Sequence, residues 1–368
     1  MLRSGDPVSG ARVRSALARG LGALTGRLRS MVVPVRQVRS VRPVRVAALS
    51  DRADRAPAAP DPNGRPWPAR TVVVDGCGLR VRRTPGPVGA PPALYVHGLG
   101  GDSTNFTDLA CALAPWLDGE AVDLPGFGGS DPAPGGDYSP AGQAAVVVRM
   151  VEQRGRGPVH LFGNSFGGVV CLLVAAARPD LVRTLTLISP AMPTLLPPAG
   201  PARLLTLLAL PGAHHLLTAR LTRMSPEQRV RAVVAACFAP DAVLPDHRLA
   251  EAVEEVRRRD GLPWVAAAMV GSVRGLASVY LSGGRRSLWR QAGRVTAPTL
   301  VAWGAHDRMV DVALAPRTAA AIRRSRLLVL PGVGHVGQME DPTTLARAFL
   351  AMLDEVADVP DHVVPDRP

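Results

Sequence analysis

The chain has 368 residues, of which 47% are hydrophobic, and its mean hydropathy is +0.12. This composition excludes a largely disordered protein, because it supplies enough apolar material for at least one core. The formal net charge of +13 does not indicate a nucleic-acid-binding protein, because residues 1–70 carry +10 of it and the rest of the chain only +3.

Residues 1–69 are predicted to form a basic tail outside the folded domain. Apolar residues recur at helical spacing between residues 11 and 31, as in an amphipathic helix on an anionic membrane surface. Five prolines between residues 57 and 68 predict an extended linker. We favour a disordered tail, or sequence upstream of a start at Met31, over the membrane helix. Removal of residues 1–65 is therefore expected to leave the fold nearly unchanged.

Localisation is predicted from the apolar runs and the cysteines. No stretch has the apolar region of a secretory signal or the length of a membrane span, so a cytoplasmic protein is expected. The spacing of the four cysteines fits neither a zinc site nor a disulfide framework, and we expect no metal. These cysteines are Cys77, Cys111, Cys171 and Cys237.

Two loops rich in glycine follow the first predicted strands of the domain. One strand is predicted at residues 71–74 and another at residues 93–96, and the second leads into His-Gly-Leu-Gly-Gly at residues 97–101. Residues 123–130 have the sequence Asp-Leu-Pro-Gly-Phe-Gly-Gly-Ser. Proline and glycine at this density predict tight turns.

The stretch Gly163–Gly167, with the sequence Gly-Asn-Ser-Phe-Gly, is the most informative part of the chain. An apolar run at residues 159–162 predicts a strand before it, and the apolar residues 169–177 predict a helix after it. A serine between two glycines at such a strand-to-helix turn is typical of a nucleophile elbow. Only residues without a Cβ let the strand and the helix approach closely enough to hold the strained turn. Ser165 is therefore the candidate nucleophile.

A long helical segment is predicted between the strand at residues 184–189 and the strand at residues 299–304. The two strands are separated by about 110 residues, far more than a strand crossover needs. We predict that residues 190–295 form a helical lid. Its predicted helices are Leu204–Leu208, Pro226–Phe238, Arg248–Arg259 and Trp264–Leu276.

An acid and a histidine follow the last two predicted strands. Asp307 comes just after the strand at residues 299–304, and His335 comes just after the strand at residues 326–330. The chain order is thus serine, aspartate, histidine, with each residue at the carboxyl end of a strand. The pattern predicts a catalytic triad.

Together these motifs resemble the α/β-hydrolase family, in the branch that carries a helical lid, over roughly residues 70–356. The resemblance implies a mostly parallel sheet flanked by helices, with the lid inserted after the sixth strand. Residues 70–189 and 296–357 would form the α/β core, residues 190–295 the lid, and residues 358–368 a C-terminal tail.

The resemblance also implies a reaction. Ser165 would attack a carboxylic ester, His335 would take its proton and Asp307 would stabilise the imidazolium. The backbone N–H groups of Leu99 and Phe166 would hold the oxyanion. We expect a small apolar ester as substrate, with no cofactor, no metal and no nucleic-acid partner.

The sequence leaves three alternatives open. Carbon–carbon bond hydrolases of ring-fission products often share Gly-Asn-Ser-Phe-Gly-Gly, as at residues 163–168, but usually carry Gly-Pro-Gly in the loop where this chain has residues 99–102. A cofactor-free haloperoxidase-like enzyme would use the same triad. A ligand receptor on a hydrolase fold is the alternative that is not an enzyme.

Other polar residues compete for roles at the site. The resemblance implies that His97 supports its loop and does not transfer protons. His160, on a predicted buried strand, is expected to be a hydrogen-bonded core residue. His306 and Asp311 flank Asp307, but the position of Asp307 directly after its strand favours it as the acid.

Overall fold

The computed structural model describes residues 43–52, 65–194, 202–203 and 223–357. Its centre is one eight-stranded sheet. The strands are β1 (Ala69–Val74), β2 (Cys77–Thr84), β3 (Pro92–Val96), β4 (Asp118–Val122), β5 (Val159–Asn164), β6 (Val182–Ile188), β7 (Thr299–Gly304) and β8 (Ser325–Leu330). Their order across the sheet is β1-β2-β4-β3-β5-β6-β7-β8. β1 with β2 and β2 with β4 are antiparallel pairs, and the other neighbours are parallel.

Helices cover both faces of the sheet. They are α1 (Thr107–Leu113), α2 (Pro140–Arg154), α3 (Phe166–Ala177), α4 (Pro226–Cys237), α5 (Asp246–Asp260), α6 (Val265–Leu281), α7 (Leu288–Ala292), α8 (Leu314–Ala321), α9 (Gly337–Glu340) and α10 (Pro342–Ala357). One apolar core joins the sheet to α2, α3 and α8, through residues such as Val147 and Leu172. A second core joins it to α1 and α10, through residues such as Leu109 and Phe349. The predicted α/β-hydrolase fold, with a mostly parallel sheet flanked by helices, is confirmed.

Local capping explains where α2 begins and ends. Ser139 lies before the helix, and its hydroxyl accepts a hydrogen bond from Gly142 N at 3.1 Å. Pro140 occupies the first position, where a missing N–H costs nothing. Gly155 ends the helix at a φ of 59°, a conformation that glycine adopts without strain.

The strand β4 has an unusual sequence, Asp-Gly-Glu-Ala-Val, in which all five residues are buried. Arg83 and Arg156 pair with Asp118, and Arg154 pairs with Glu120 at 2.7 Å. A buried carboxylate is tolerated only when such partners compensate for the water it loses. β4 was not predicted, because these arginines come from β2 and from the region around the end of α2.

The segment between β6 and β7 contains several helices in its described part, and we call residues 190–295 the insert. It includes α4, α5 and α6, which overlap three of the predicted helices, and also α7. The helix predicted at Leu204–Leu208 lies outside the described residues, as do the amphipathic helix predicted at residues 11–31 and the C-terminal tail.

Residues 43–52, which we call the N-terminal strap, lie along the outer edge of β8. The prediction from the sequence placed them in the tail outside the folded domain. Val46 forms a parallel bridge with Leu327, Ala47 N donates to Leu327 O at 2.9 Å, and Leu327 N donates to Arg45 O at 2.8 Å. Ser50 N donates to the carbonyl oxygen of Arg347 in α10 at 3.1 Å. The domain therefore includes a segment upstream of the expected start at residue 70, which local sequence could not reveal because its partner lies almost 300 residues away.

Removal of the strap is expected to destabilise the domain. A protein without residues 1–52 loses three backbone hydrogen bonds that a protein without residues 1–42 keeps. At about 0.5–1.5 kcal/mol net for each bond, its free energy of unfolding should fall further, by about 1.5–4.5 kcal/mol. The exposed β8 edge should also promote aggregation. Urea unfolding of the two truncated proteins measures the difference, and identical midpoints would restore the boundary predicted at residue 70.

Candidate active site

The turn at Ser165 has the geometry of a nucleophile elbow. Ser165 follows the last residue of β5 and precedes the first residue of α3, with φ 54° and ψ −115°. A positive φ in a residue with a Cβ is strained by roughly 1–3 kcal/mol and persists only where its surroundings hold it. Ser165 N donates to Ile188 O at 3.0 Å, and Ser165 O accepts from Ala191 N at 3.0 Å. Both peptide groups of the serine are thereby fixed.

The two glycines of the motif are required by close approach. A Cβ at Gly163 would lie 2.5 Å from Gly167 O and 2.7 Å from Cys171 Sγ. A Cβ at Gly167 would collide with the carbonyl oxygens of Val96 and His97. The helix therefore packs directly against the strand and the neighbouring loop, which agrees with the physical reason given for these glycines from the sequence.

Asp307 and His335 are joined by a hydrogen bond. The His335 Nδ1 atom lies 2.8 Å from Asp307 Oδ2, and the two side chains are 6% and 0% exposed. Asp307 Oδ1 accepts from Met309 N at 2.8 Å and from Val310 N at 2.9 Å. The carboxylate is thus held by the loop after β7 while its other oxygen faces the imidazole.

The environment of Asp307 favours its ionised form. Burial raises the pKa of this carboxyl, but the charge of His335 and the hydrogen bonds from His335, Val310 and Met309 lower it by more. The net pKa lies below the usual value for an aspartate. Asp307 is therefore an anion at neutral pH, as a partner of an imidazolium must be.

The structure does not bring the competing residues to His335. Asp311 is exposed, and its Oδ1 accepts from Ala313 N at 2.9 Å. His306 is also exposed, and its backbone N–H donates to Val333 O. Of the acids considered from the sequence, Asp307 is the one in contact with the imidazole.

The glycine-rich loop after β3, residues 97–101, lies against the elbow. A Cβ on Gly98 would come within 3.0 Å of Asn164 Oδ1 and 3.2 Å of Ser165 Cβ. Gly101 N donates to Gly98 O at 3.0 Å, which closes the loop into a turn that contains Leu99. Leu99 lies in this turn, and Phe166 directly follows Ser165. The two residues thus belong to segments that contact each other.

His97 is held inside this loop. Its Nε2 accepts from Leu124 N at 2.9 Å, so its proton is on Nδ1, which donates to Gly98 O at 2.7 Å. Burial lowers the pKa of His97. The residue is fully buried and neutral, and it links the glycine-rich loop to the turn after β4.

His160 is buried on β5, away from the elbow end of the strand. Its Nδ1 lies 2.8 Å from Thr184 Oγ1, and its ring meets Phe349 edge-on. Burial lowers the pKa of His160 to about 4. It is a neutral core residue.

The histidine loop, residues 331–336, is attached to the insert. His335 N donates to Cys237 O at 2.6 Å at the end of α4. Arg308, next to Asp307, donates to Phe238 O at 3.0 Å. The end of α4 is therefore bonded to the loops of both the acid and the histidine.

Two further side chains hold the histidine loop. Glu340 accepts from Gly334 N at 3.0 Å through Oε1 and from Ala239 N at 2.8 Å through Oε2. Asn164 Nδ2 donates to His335 O at 3.1 Å. The roles of Arg308 and Glu340 were not predicted from the sequence, because each side chain bonds to a residue of the insert that lies 70 or 101 residues away.

Neither a metal cluster nor a single spanning helix occurs in the part of the chain that the structure describes. There, no three His, Cys, Asp or Glu side chains are grouped so that they could hold a metal ion. No single described helix is long and apolar enough to cross a membrane. Taken together, α5 and α6 reach that length and apolar composition, but the pair is bent by 101°.

Comparison with known proteins identifies a family and several relatives. Residues 91–342 match the model of a family described as having the alpha/beta hydrolase fold. A monoacylglycerol lipase, abhd6-B of Xenopus laevis, is 26% identical over 282 residues, which are 75% of this chain and 79% of the lipase.

Two bacterial relatives have different activities. The dihydrolipoyllysine-residue acetyltransferase component of the acetoin cleaving system from Cupriavidus necator is 30% identical over 271 residues. The match covers 73% of this chain but only 64% of that protein, so the chain spans less than two thirds of its length. A 2-hydroxy-6-oxononadienedioate/2-hydroxy-6-oxononatrienedioate hydrolase from Cupriavidus pinatubonensis is 26% identical over 274 residues, 72% of this chain and 86% of that enzyme.

Proposed function

The chain belongs to the α/β-hydrolase family and has lipase relatives, and from this premise we propose that it cleaves carboxylic esters through an acyl-enzyme intermediate. Ser165 is the nucleophile, His335 the general base and Asp307 the anion that orients the imidazole. The observation that carries the proposal is the hydrogen bond between His335 and Asp307 at the same end of the sheet as the strained Ser165.

The hydrogen-bonding pattern gives His335 its role. Because Asp307 is ionised and accepts from Nδ1, the imidazole keeps its proton on Nδ1 and leaves Nε2 free of one. Nε2 then takes the hydroxyl proton of Ser165 as Oγ bonds to the ester carbon. The resulting imidazolium returns that proton to the leaving alcohol as the ester C–O bond breaks.

Backbone N–H groups stabilise the negative oxygen that forms on the ester carbon. Leu99 N and Phe166 N are the donors in this proposal, and the contact between Gly98 and Ser165 supports their proximity. Phe166 is also the first residue of α3, so the positive end of that helix dipole favours the oxyanion. A water molecule activated by His335 then releases the acid and restores Ser165.

The insert acts as a lid in this account and lines the substrate site. Its helices contact the loops at the carboxyl ends of the strands: Gly100 lies against Met269, and Gly126 against Ala268. The named activity of the lipase relative favours a small-molecule ester with an apolar acyl group as the substrate. A cytoplasmic location remains a proposal that rests on the sequence, and peripheral membrane contact through the N-terminal tail, residues 1–69, remains an alternative that the sequence does not favour.

Carbon–carbon bond hydrolysis is the second candidate. The relative from Cupriavidus pinatubonensis is named as a hydrolase of 2-hydroxy-6-oxononadienedioate and 2-hydroxy-6-oxononatrienedioate. This chain has Gly-Asn-Ser-Phe-Gly-Gly at residues 163–168. The same serine and histidine would serve that reaction.

A substrate panel separates the two candidates. The protein should hydrolyse p-nitrophenyl esters of acetate, butyrate and octanoate faster than a 2-hydroxy-6-oxodienoate ring-fission product, as measured by kcat/KM. Ser165→Ala protein prepared in the same way gives the background. If the ring-fission product were turned over faster than every ester, carbon–carbon bond hydrolysis would become the proposed function and ester hydrolysis would be rejected.

A further inference from the structure

A side chain of the insert reaches the glycine-rich loop beside Ser165. Arg259, at the end of α5, donates a hydrogen bond from its guanidinium to Gly100 O at 2.6 Å. Gly100 is the residue after Leu99, whose N–H is one of the two donors assigned to the oxyanion. The contact therefore joins the insert to the turn that contains the Leu99 N–H.

The turn at residues 98–101 is confined from two sides. On the elbow side, a Cβ at Gly98 would lie 3.2 Å from Ser165 Cβ. On the insert side, a Cβ at Gly100 would lie 2.9 Å from Met269 Cε in α6, and Gly100 has a φ of +73°. Arg259 adds a directional bond to this packing, and it fixes the direction in which the Gly100 carbonyl points.

An ionised carboxylate lies next to the contact. Asp102 is 5% exposed and accepts from Thr104 N at 2.9 Å. Burial raises the pKa of Asp102, but the positive charge of Arg259 and the hydrogen bonds from Thr104 lower it by more. The Arg259 guanidinium is thus attracted to the Asp102 carboxylate by charge, and it donates a hydrogen bond to Gly100 O.

The neighbouring arginines of α5 have other partners. Arg257 pairs with Glu227 and Glu254, and Arg258 pairs with Glu255. Arg257 is on the surface, so its replacement removes a cation from the same helix end without touching the turn. It is a matched control for Arg259.

We propose that Arg259 is a positioning residue that holds the turn at residues 98–101 in the conformation in which Leu99 N faces the oxyanion. The inference rests on the proposed function, because only a reaction with an oxyanion uses that donor. A donor that is held in place stabilises the transition state more than the bound ester, so loss of Arg259 should act on kcat more than on KM.

The test compares Arg259→Met, Arg259→Gln and Arg259→Lys with Arg257→Met. Complete removal of an oxyanion donor costs about 10²- to 10³-fold in kcat, and a donor that is only less well held should cost less. We expect Arg259→Met and Arg259→Gln to lower kcat for p-nitrophenyl butyrate by about 10- to 100-fold with little change in KM. Arg259→Lys, which keeps a charged donor, should recover part of the loss, and Arg257→Met should match the wild type.

A second readout does not depend on turnover. Hydrogen–deuterium exchange at the amides of residues 98–102 should be faster in Arg259→Met and Arg259→Gln than in the wild type and in Arg257→Met. If either Arg259→Met or Arg259→Gln has a melting temperature well below that of the wild type, the comparison uses the other variant. Wild-type kcat and wild-type exchange in a folded neutral variant would overturn the inference.

Failure of the proposed function gives a different result. A wild-type protein that hydrolyses no ester would contradict ester hydrolysis, while the exchange experiment would still decide whether Arg259 holds the turn. Unchanged exchange in both neutral variants would remove Arg259 as a positioning residue whatever the reaction. An equal loss of kcat in Arg257→Met would show that the helix end, and not the bond to Gly100, is responsible.

Discussion

Ser165→Ala and His335→Ala are each expected to lower kcat for an activated ester by about 10⁴- to 10⁶-fold. The serine supplies the atom that bonds to the ester carbon, and the histidine accepts its proton, so neither step proceeds without the other. The double variant should be no slower than either single variant, because members of one catalytic unit fail together. Initial rates with p-nitrophenyl butyrate, in protein expressed from a strain without its own esterases, measure all three.

The structure indicates how to exclude misfolding in these variants. Ser165 is only partly buried, and its backbone bonds to Ile188 and Ala191 do not depend on the hydroxyl, so Ser165→Ala should melt near the wild-type temperature. Removal of the His335 ring leaves the buried Asp307 carboxylate with one partner fewer, and that variant should be less stable. A folded Ser165→Ala protein with wild-type kcat would assign the reaction to another residue.

Asp307→Asn is expected to lower kcat by about 10²- to 10⁴-fold. An amide at this position offers an N–H or a neutral oxygen to His335 Nδ1, so the imidazole loses the anion that stabilises its protonated form. The backbone bonds from Met309 and Val310 to the side-chain oxygen can persist, which keeps the loop after β7 in place. The same ester assay measures the loss.

Asp311→Asn is the matched control for this prediction. Asp311 is an exposed aspartate in the same loop, bonded to Ala313 N and not to the imidazole. Its replacement should leave kcat within about twofold of the wild type, as for a surface residue away from the site. An active Asp307→Asn protein together with an inactive Asp311→Asn protein would show that the acid is misassigned.

The sequence predicted the parts of the fold that local pattern determines. β5, β7 and β8 each contain a short run of apolar residues, and each was placed within two residues of its bounds. The candidate nucleophile, acid and base follow these three strands. Because the strands are parallel, their carboxyl ends place the three residues at one edge of the sheet.

Elements that depend on distant partners could not be predicted. β4 contains two carboxylates that are buried only because arginines from other elements pair with them. The N-terminal strap has no strand pattern of its own, and its place is set by the free edge of β8. Arg259, Arg308 and Glu340 join the insert to the site across 70 to 159 residues of chain, and such contacts leave no local spacing to recognise.

Labelling with a fluorophosphonate tests the central claim most directly. The reagent phosphonylates a serine hydroxyl only where a base and an oxyanion site activate it. We predict a single adduct on the peptide that contains Ser165 in the wild-type protein, none in Ser165→Ala, and much slower labelling in His335→Ala, measured by mass spectrometry of the digested protein. An unlabelled wild-type Ser165, or an adduct that persists in Ser165→Ala, would contradict the account of this protein as a serine hydrolase acting through Ser165.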